Sequence, residues 1–86
     1  MSHIANELDI KTDLIRCVMA SLSPQVFEDK NFKVFFGHAL KNLNLIREKM
    51  GESKFGEVML RIKKASDGQN PINKRREDLL TAAVLI

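Results

Sequence analysis

Apolar residues recur every three or four positions through the middle of the chain, from Phe32 to Met50. On a helical wheel they fall within one narrow sector, as they do in a helix that buries a single face. Asn31 can cap the start of this helix, and Gly51 stands where a residue with positive φ often ends one. The pattern therefore predicts a long central helix over residues 31–50. Its buried stripe consists of Phe32, Phe36, Ala39, Leu43, Ile46 and Met50.

Shorter stretches with the same periodicity lie on both sides of the central one. Pro24 and Pro71 each follow a residue that can cap a helix, and proline is favoured at the first helical position. The first 11 residues are less regular, and we expect a mobile lead-in or a separate turn or two. The chain is thus expected to be one all-α domain over residues 1–86, a small compact bundle of four to five helices. The predicted helices cover residues 12–22, 24–29, 31–50, 54–66 and 71–85.

The first and last of the long helices have predicted buried faces of their own. The first is expected to turn Leu14, Ile15, Val18, Met19 and Leu22 inward. The last is expected to bury a stripe made of Ile72, Leu79, Leu80, Ala83 and Val84.

Five apolar residues extend beyond any single buried face, and they are the candidate partner-binding residues. Val34 and Leu45 lie together on the central helix, away from its main stripe, and Leu60 points away from the inner face of the 54–66 helix. Leu80 and Leu85 lie about 140° apart on the last helix. Either another helix of the chain covers such residues, or a partner does. A last helix in the middle of the core would hide both of its sides; otherwise a second copy is the expected cover, giving a homodimer.

The charge of the chain is uneven along its length. The formal net charge is +3, but residues 1–29 carry two basic and five acidic groups. Six of the 14 basic residues lie in two clusters that the loop between the last two helices would bring together. These candidate nucleic-acid-binding residues are Arg61, Lys63, Lys64, Lys74, Arg75 and Arg76. Such a patch can hold phosphates, although no aromatic residue is interleaved for base stacking.

Arg76 falls inside the apolar stripe of the last helix. It is expected to extend to the end of the bundle or to meet a carboxylate of the acidic N-terminal third, where Glu7, Asp9 and Asp13 stand.

The sequence offers little for catalysis. Cys17 is the only cysteine and is flanked by apolar residues, so we expect a packed, unreactive side chain. His38 has no carboxylate or cysteine partner nearby in sequence, and metal-ligand spacings and glycine-rich phosphate loops are missing. We therefore expect no enzyme activity, cofactor, metal or small-molecule substrate. With neither a signal peptide nor an apolar run of membrane-spanning length, a reducing, cytoplasmic setting is expected.

These observations favour a non-enzymatic protein-protein interaction module: a small regulator, adaptor or inhibitor that acts through helix-face contacts as a homodimer. The alternative is a nucleic-acid-binding regulator that uses the basic patch between residues 61 and 76.

Overall fold

The computed structural model describes residues 6–23 and 25–86, and these residues form five helices and no strand. The described residues are 79% helical, which confirms the prediction of a small all-α bundle. The helices are α1 (Glu7–Ala20), α2 (Lys30–Leu45), α3 (Arg47–Met50), α4 (Glu52–Ser66) and α5 (Ile72–Leu85).

The start of α1 is fixed by a capping box. The Asn6 side chain accepts a hydrogen bond from the Asp9 amide at 3.0 Å, and the Asp9 carboxylate accepts one from the Asn6 amide at 3.4 Å. The pair satisfies amide groups that the first helical turn leaves free. Because of this box, α1 begins five residues before the predicted start at 12. Residues 7–11 of the predicted lead-in are therefore helical, and residues 1–5 lie outside the described residues. The helix ends at Ala20, two residues before the predicted end at 22.

The residue that caps the start of α2 lies two positions earlier than expected. The Asp29 carboxylate, and not Asn31, accepts hydrogen bonds from the amides of Asn31 and Phe32 at 2.9 and 3.1 Å. Residues 25–28 before it form hydrogen-bonded turns rather than the short helix predicted for 24–29. Pro24, which was expected to open that helix, lies outside the described residues.

The predicted central helix is divided at Ile46, whose backbone (φ −107°, ψ 13°) leaves the helical region. The single turn α3 follows, and Gly51 reverses the chain with a φ of 91°, a value that a side chain disfavours. The Arg47 guanidinium closes this corner: it donates to both carboxylate oxygens of Glu52 at 2.9 Å and lies 4.7 Å from the centre of the Phe55 ring. The corner therefore separates two helical hairpins, α1–α2 and α4–α5.

Across the molecule the long helices follow the order α2, α1, α5, α4, with α1 and α5 in the middle. At the α3 corner, Lys49 forms an ion pair with Glu7 at the start of α1, and Lys54 lies 3.5 Å from the Ile86 carbonyl at the end of α5. The start of α1 thus lies at the same end as the finish of α5, so every pair of packed neighbours is antiparallel. The Cα atoms span 36 × 30 × 15 Å. The shape is flattened, so the central helices also present an outer side.

One continuous apolar core joins the helices. α1 contributes Ile10, Leu14 and Cys17 to it, whereas Ile15, Met19 and Leu22, predicted to face inward, are exposed. In α5 the core takes Leu79, Ala82 and Ala83 and leaves Leu80 and Val84 outside. The core residues are Ile10, Leu14, Cys17, Val26, Phe32, Ala39, Leu43, Ile46, Phe55, Val58, Ile62, Ala65, Leu79, Ala82 and Ala83.

The loops at the far end of the bundle interlock around Phe27. Its ring packs edge-on against Phe32, and the Arg75 guanidinium lies 3.4 Å from the ring centre. Gly68 passes so close that a Cβ there would come within 2.9 Å of the ring. Asn70, which was expected to cap α5, instead donates to the Lys64 carbonyl at 2.9 Å and so closes the end of α4.

Candidate functional site

Four of the five apolar residues chosen from the sequence are exposed. Leu45 is 66% exposed, and Val34, Leu60 and Leu80 are close to half exposed. Leu85 is half-buried and packs against the core, so the fold itself uses it. These residues lie on three different helices. A single leucine on a charged helix face, as Leu60 is on α4, is ordinary in a soluble protein.

Among the described elements, α1 and the turn that follows it carry the largest concentration of exposed apolar side chains, three of which, Ile15, Met19 and Leu22, were predicted to be buried. Leu8 is 71% exposed, Ile15 50%, Met19 64% and Leu22 61%. Leu22 lies two residues after the end of the helix, in a turn in which its amide donates to the Met19 carbonyl at 3.3 Å. We call these four residues the α1 row.

The α1 row lies opposite the core-facing side of the helix. At about 100° per residue its members occupy a sector centred roughly 150° from Ile10, which is fully buried. The inward side is completed by Asp13 and Ser21, both buried. Asp13 lies 3.6 Å from Arg16, and the Ser21 hydroxyl donates to the Val18 carbonyl at 2.6 Å. The signal available in the sequence was the seven-residue spacing of Leu8, Ile15 and Leu22, which places them in line.

A polar groove of about 450 Å³ runs beside the α1 row, between α1 and α2. Arg16 lines the groove, and its guanidinium lies 5.4 Å from the centre of the Phe35 ring on α2. Basic and acidic side chains alternate around the groove, so it has no single charge preference. Within the described residues no group of histidine, cysteine and carboxylate side chains could hold a metal ion. The lining residues are Leu8, Asp9, Thr12, Asp13, Arg16, His38, Lys41 and Asn42.

The outer side of α5 carries a second, smaller apolar area. Leu80 is 47% exposed and Val84 81%, and both line a shallow hollow of about 440 Å³ together with Leu85. All described lining residues belong to α5. Arg76 and Glu77 border the hollow.

The basic cluster is partly used inside the fold. The Arg61 guanidinium lies 3.3 Å from the Asp78 carboxylate, which is fully buried, and 3.5 Å from Glu57. Arg75 is 6% exposed, donates to the Ala65 carbonyl at 3.0 Å and stacks on Phe27. Burial lowers the pKa of the Arg75 guanidinium, and Asp67 offsets part of this effect. The structure therefore turns two of the six predicted phosphate-binding side chains away from a ligand.

The other four basic side chains remain at the surface. Lys74 lies 3.8 Å from Glu77 and 3.9 Å from Asp78, and Arg76 donates to the Asn73 side chain at 2.6 Å. Lys63 and Lys64 are exposed at the end of α4. Arg76 was expected to reach Glu7, Asp9 or Asp13 or to extend to the bundle end, but its recorded partner lies on its own helix. The arginine that enters the core is its neighbour Arg75.

Cys17 is fully buried, and its Sγ lies 3.9 Å from the Phe32 carbonyl. Burial first, and the nearby Asp13 second, raise the pKa of this thiol to about 12. Such a thiol is almost wholly protonated at neutral pH and is a poor nucleophile. The geometry agrees with a packed hydrophobic role.

Comparison of the chain with protein-family models, with curated proteins and with solved structures gives no match. Among the described helices, none has both the length and the apolar character needed to cross a membrane.

Proposed function

We propose that the chain is a non-enzymatic protein-protein interaction module that binds through apolar helix faces, chiefly the α1 row, and works as a homodimer. The observation that carries this proposal is the exposure of Leu8, Ile15 and Met19 on one side of α1, together with that of Leu22 in the turn that follows it. A reducing, cytoplasmic setting belongs to the same proposal, since Cys17, the single cysteine, is a buried free thiol.

A row of large exposed aliphatic side chains indicates a binding surface more strongly than the same side chains scattered over the protein. Isolated apolar residues are normal at protein surfaces, whereas contiguous apolar rows mark places where another surface binds. The α1 row runs from the first turn of α1 to the turn that follows the helix, with Thr12 and Arg16 along one side and Lys11 along the other. An apolar line with polar margins is the usual layout of a helix that pairs with another helix.

The arrangement of α1 in the fold supports the same use. The helix is held from behind by α2 and α5, and its inward side is fully packed through Ile10, Leu14 and Cys17. A rigid element needs little ordering when it binds, so less of the interaction free energy is lost to entropy.

Nucleic-acid binding is the alternative function, and it has less support. Four of the six basic side chains remain available, but Arg61 and Arg75 are engaged with Asp78 and with the Ala65 carbonyl. The four that remain belong to two helices and share their surroundings with Glu77 and Asp67.

The experiment is site-specific photo-crosslinking in cells that express the chain. A photoreactive amino acid replaces Ile15 in one variant and Leu60 in the matched control, which is equally exposed but stands alone on α4. We expect covalent protein adducts from position 15 and few from position 60. Equal adducts from both positions, or adducts to nucleic acid in place of protein, contradict the proposed function.

A further inference from the structure

We propose that the α1 row binds the α1 row of a second copy of the chain, with the two helices antiparallel and a two-fold axis beside Ile15. This inference rests on the proposed function and names the partner of the same surface.

The spacing of the row is symmetric about Ile15. Leu8 lies seven residues before it, so the two share one line of α1; Leu22 lies seven residues after it, in the hydrogen-bonded turn that follows the helix, and extends the row there. When two such lines meet antiparallel, Ile15 contacts Ile15 of the second copy and Leu8 contacts its Leu22. A two-fold interface requires a patch that is complementary to itself, and this row meets that condition.

The remaining member of the row, Met19, also finds a partner in this arrangement. The two-fold axis beside Ile15 places Met19 of one copy opposite Lys11 of the other. Lys11 lies on the edge of the row and is half-buried. The aliphatic stem of a lysine can cover an apolar side chain while its ammonium group stays in water. The antiparallel arrangement also sets each helix dipole against the opposite end of the other, which is the favourable orientation.

The size of the surface indicates a weak, reversible dimer. From their fractional exposures, the four residues present on the order of 400 Å² of mostly apolar surface. Two copies with their flanking polar residues bury close to ~1,000 Å², the lower limit for a specific interface. We therefore expect a dissociation constant between ~1 and ~100 μM, rather than the nanomolar value of a large interface.

Sedimentation equilibrium of the full chain tests the assembly. At ~100 μM the average mass should lie well above that of one chain. Ile15→Asp should raise the dissociation constant at least tenfold and leave the far-UV circular dichroism spectrum unchanged, because Ile15 is half exposed in the monomer. Ile15→Lys serves as a second variant if the aspartate disturbs α1, and Leu60→Asp is the matched control. A chain that stays monomeric at this concentration, or a dimer that resists both Ile15 variants, overturns the proposal.

Disulfide trapping tests the orientation. Ile15→Cys should oxidise to a symmetric dimer, and a mixture of Leu8→Cys and Leu22→Cys chains should give the mixed disulfide, because disulfides require Cα atoms within ~7 Å. The unaltered chain, whose only thiol is the buried Cys17, is the control. Leu8→Cys chains that join to one another as readily as to Leu22→Cys chains overturn the antiparallel arrangement. If the photoreactive group at position 15 joins another protein while the pure chain stays monomeric, the protein-binding role of the α1 row survives, whereas the homodimer and this inference both fail.

Discussion

The buried carboxylate of Asp78 gives a sharp test of how the α4–α5 hairpin is held together. The Asp78 side chain is fully buried, and its recorded partners are Arg61 at 3.3 Å and Lys74 at 3.9 Å. Its second oxygen, Oδ2, has no hydrogen-bond partner among the described residues. Replacing Arg61 with Met keeps an unbranched apolar stem and removes the guanidinium group, so the carboxylate remains buried with only the Lys74 ammonium group, 3.9 Å away, as a partner.

The cost follows from the asymmetry of the two partners. Leaving a buried charge without its partner destabilises a protein by about 3–5 kcal/mol. Because Lys74 remains in reach, we expect Arg61→Met to cost about 3 kcal/mol. Asp78→Leu should cost only about 1 kcal/mol, since the Arg61 side chain is 29% exposed and keeps Glu57 at 3.5 Å. The double variant removes both charges and should lie within about 1 kcal/mol of the unaltered chain.

Urea unfolding followed by circular dichroism measures these differences directly. The slope of the free energy against urea must stay constant for the comparison to hold. Lys63→Met is the matched control, because Lys63 is exposed on the same helix and should change stability by no more than about 0.5 kcal/mol. An Arg61→Met cost below about 1 kcal/mol, or a double variant as unstable as the sum of the single variants, would refute the reasoning.

Two further results are expected. The folded thiol of Cys17 keeps its proton up to a pKa of about 12, while the unfolded thiol ionises near its ordinary value of 9.0. The unfolding free energy should therefore fall, relative to Cys17→Ala, by up to ~1.4 kcal/mol per pH unit as the pH rises from 9 towards 12; parallel pH profiles would contradict this. If the basic patch binds nucleic acid, replacing Lys63, Lys64, Lys74 and Arg76 with Ala should flatten the salt dependence by up to about four counterions. Failure of the unaltered chain to be retained on heparin at ~50 mM salt would remove that function.

The sequence predicted the buried sides of the edge helices, α2 and α4, better than those of the two middle helices, α1 and α5. In α2 and α4 the apolar residues at helical spacing face the core: Phe32, Ala39 and Leu43 in one, Val58 and Ile62 in the other. An edge helix of this bundle packs against one long neighbour and has one wet side, so the separation of apolar and polar residues on the wheel indicates its orientation.

The buried sides of the two middle helices, α1 and α5, were predicted wrongly because some of their polar residues are buried and some of their apolar residues are exposed. α1 buries Asp13 and exposes Ile15 and Met19, while α5 buries Arg75 and exposes Val84. A wheel drawn from hydrophobicity places each of these residues on the wrong side. The inward polar groups are tolerated because other parts of the chain supply partners, as the Ala65 carbonyl does for Arg75 at 3.0 Å. The periodicity of apolar residues does not predict contacts between residues that are distant in the sequence.

This exchange of polar and apolar residues on the central helices has a physical consequence for function. A helix that serves only its own core has no need of large aliphatic residues on its outer side, where each leaves a substantial apolar area in water. On α2 and α4 such residues are few and separated by charges, as Leu60 is by Glu57 and Lys64. On α1 they form a line with seven-residue spacing over the length of the helix. Since its inward side is already packed, the outward apolar line of α1 is the surface that we propose binds another chain.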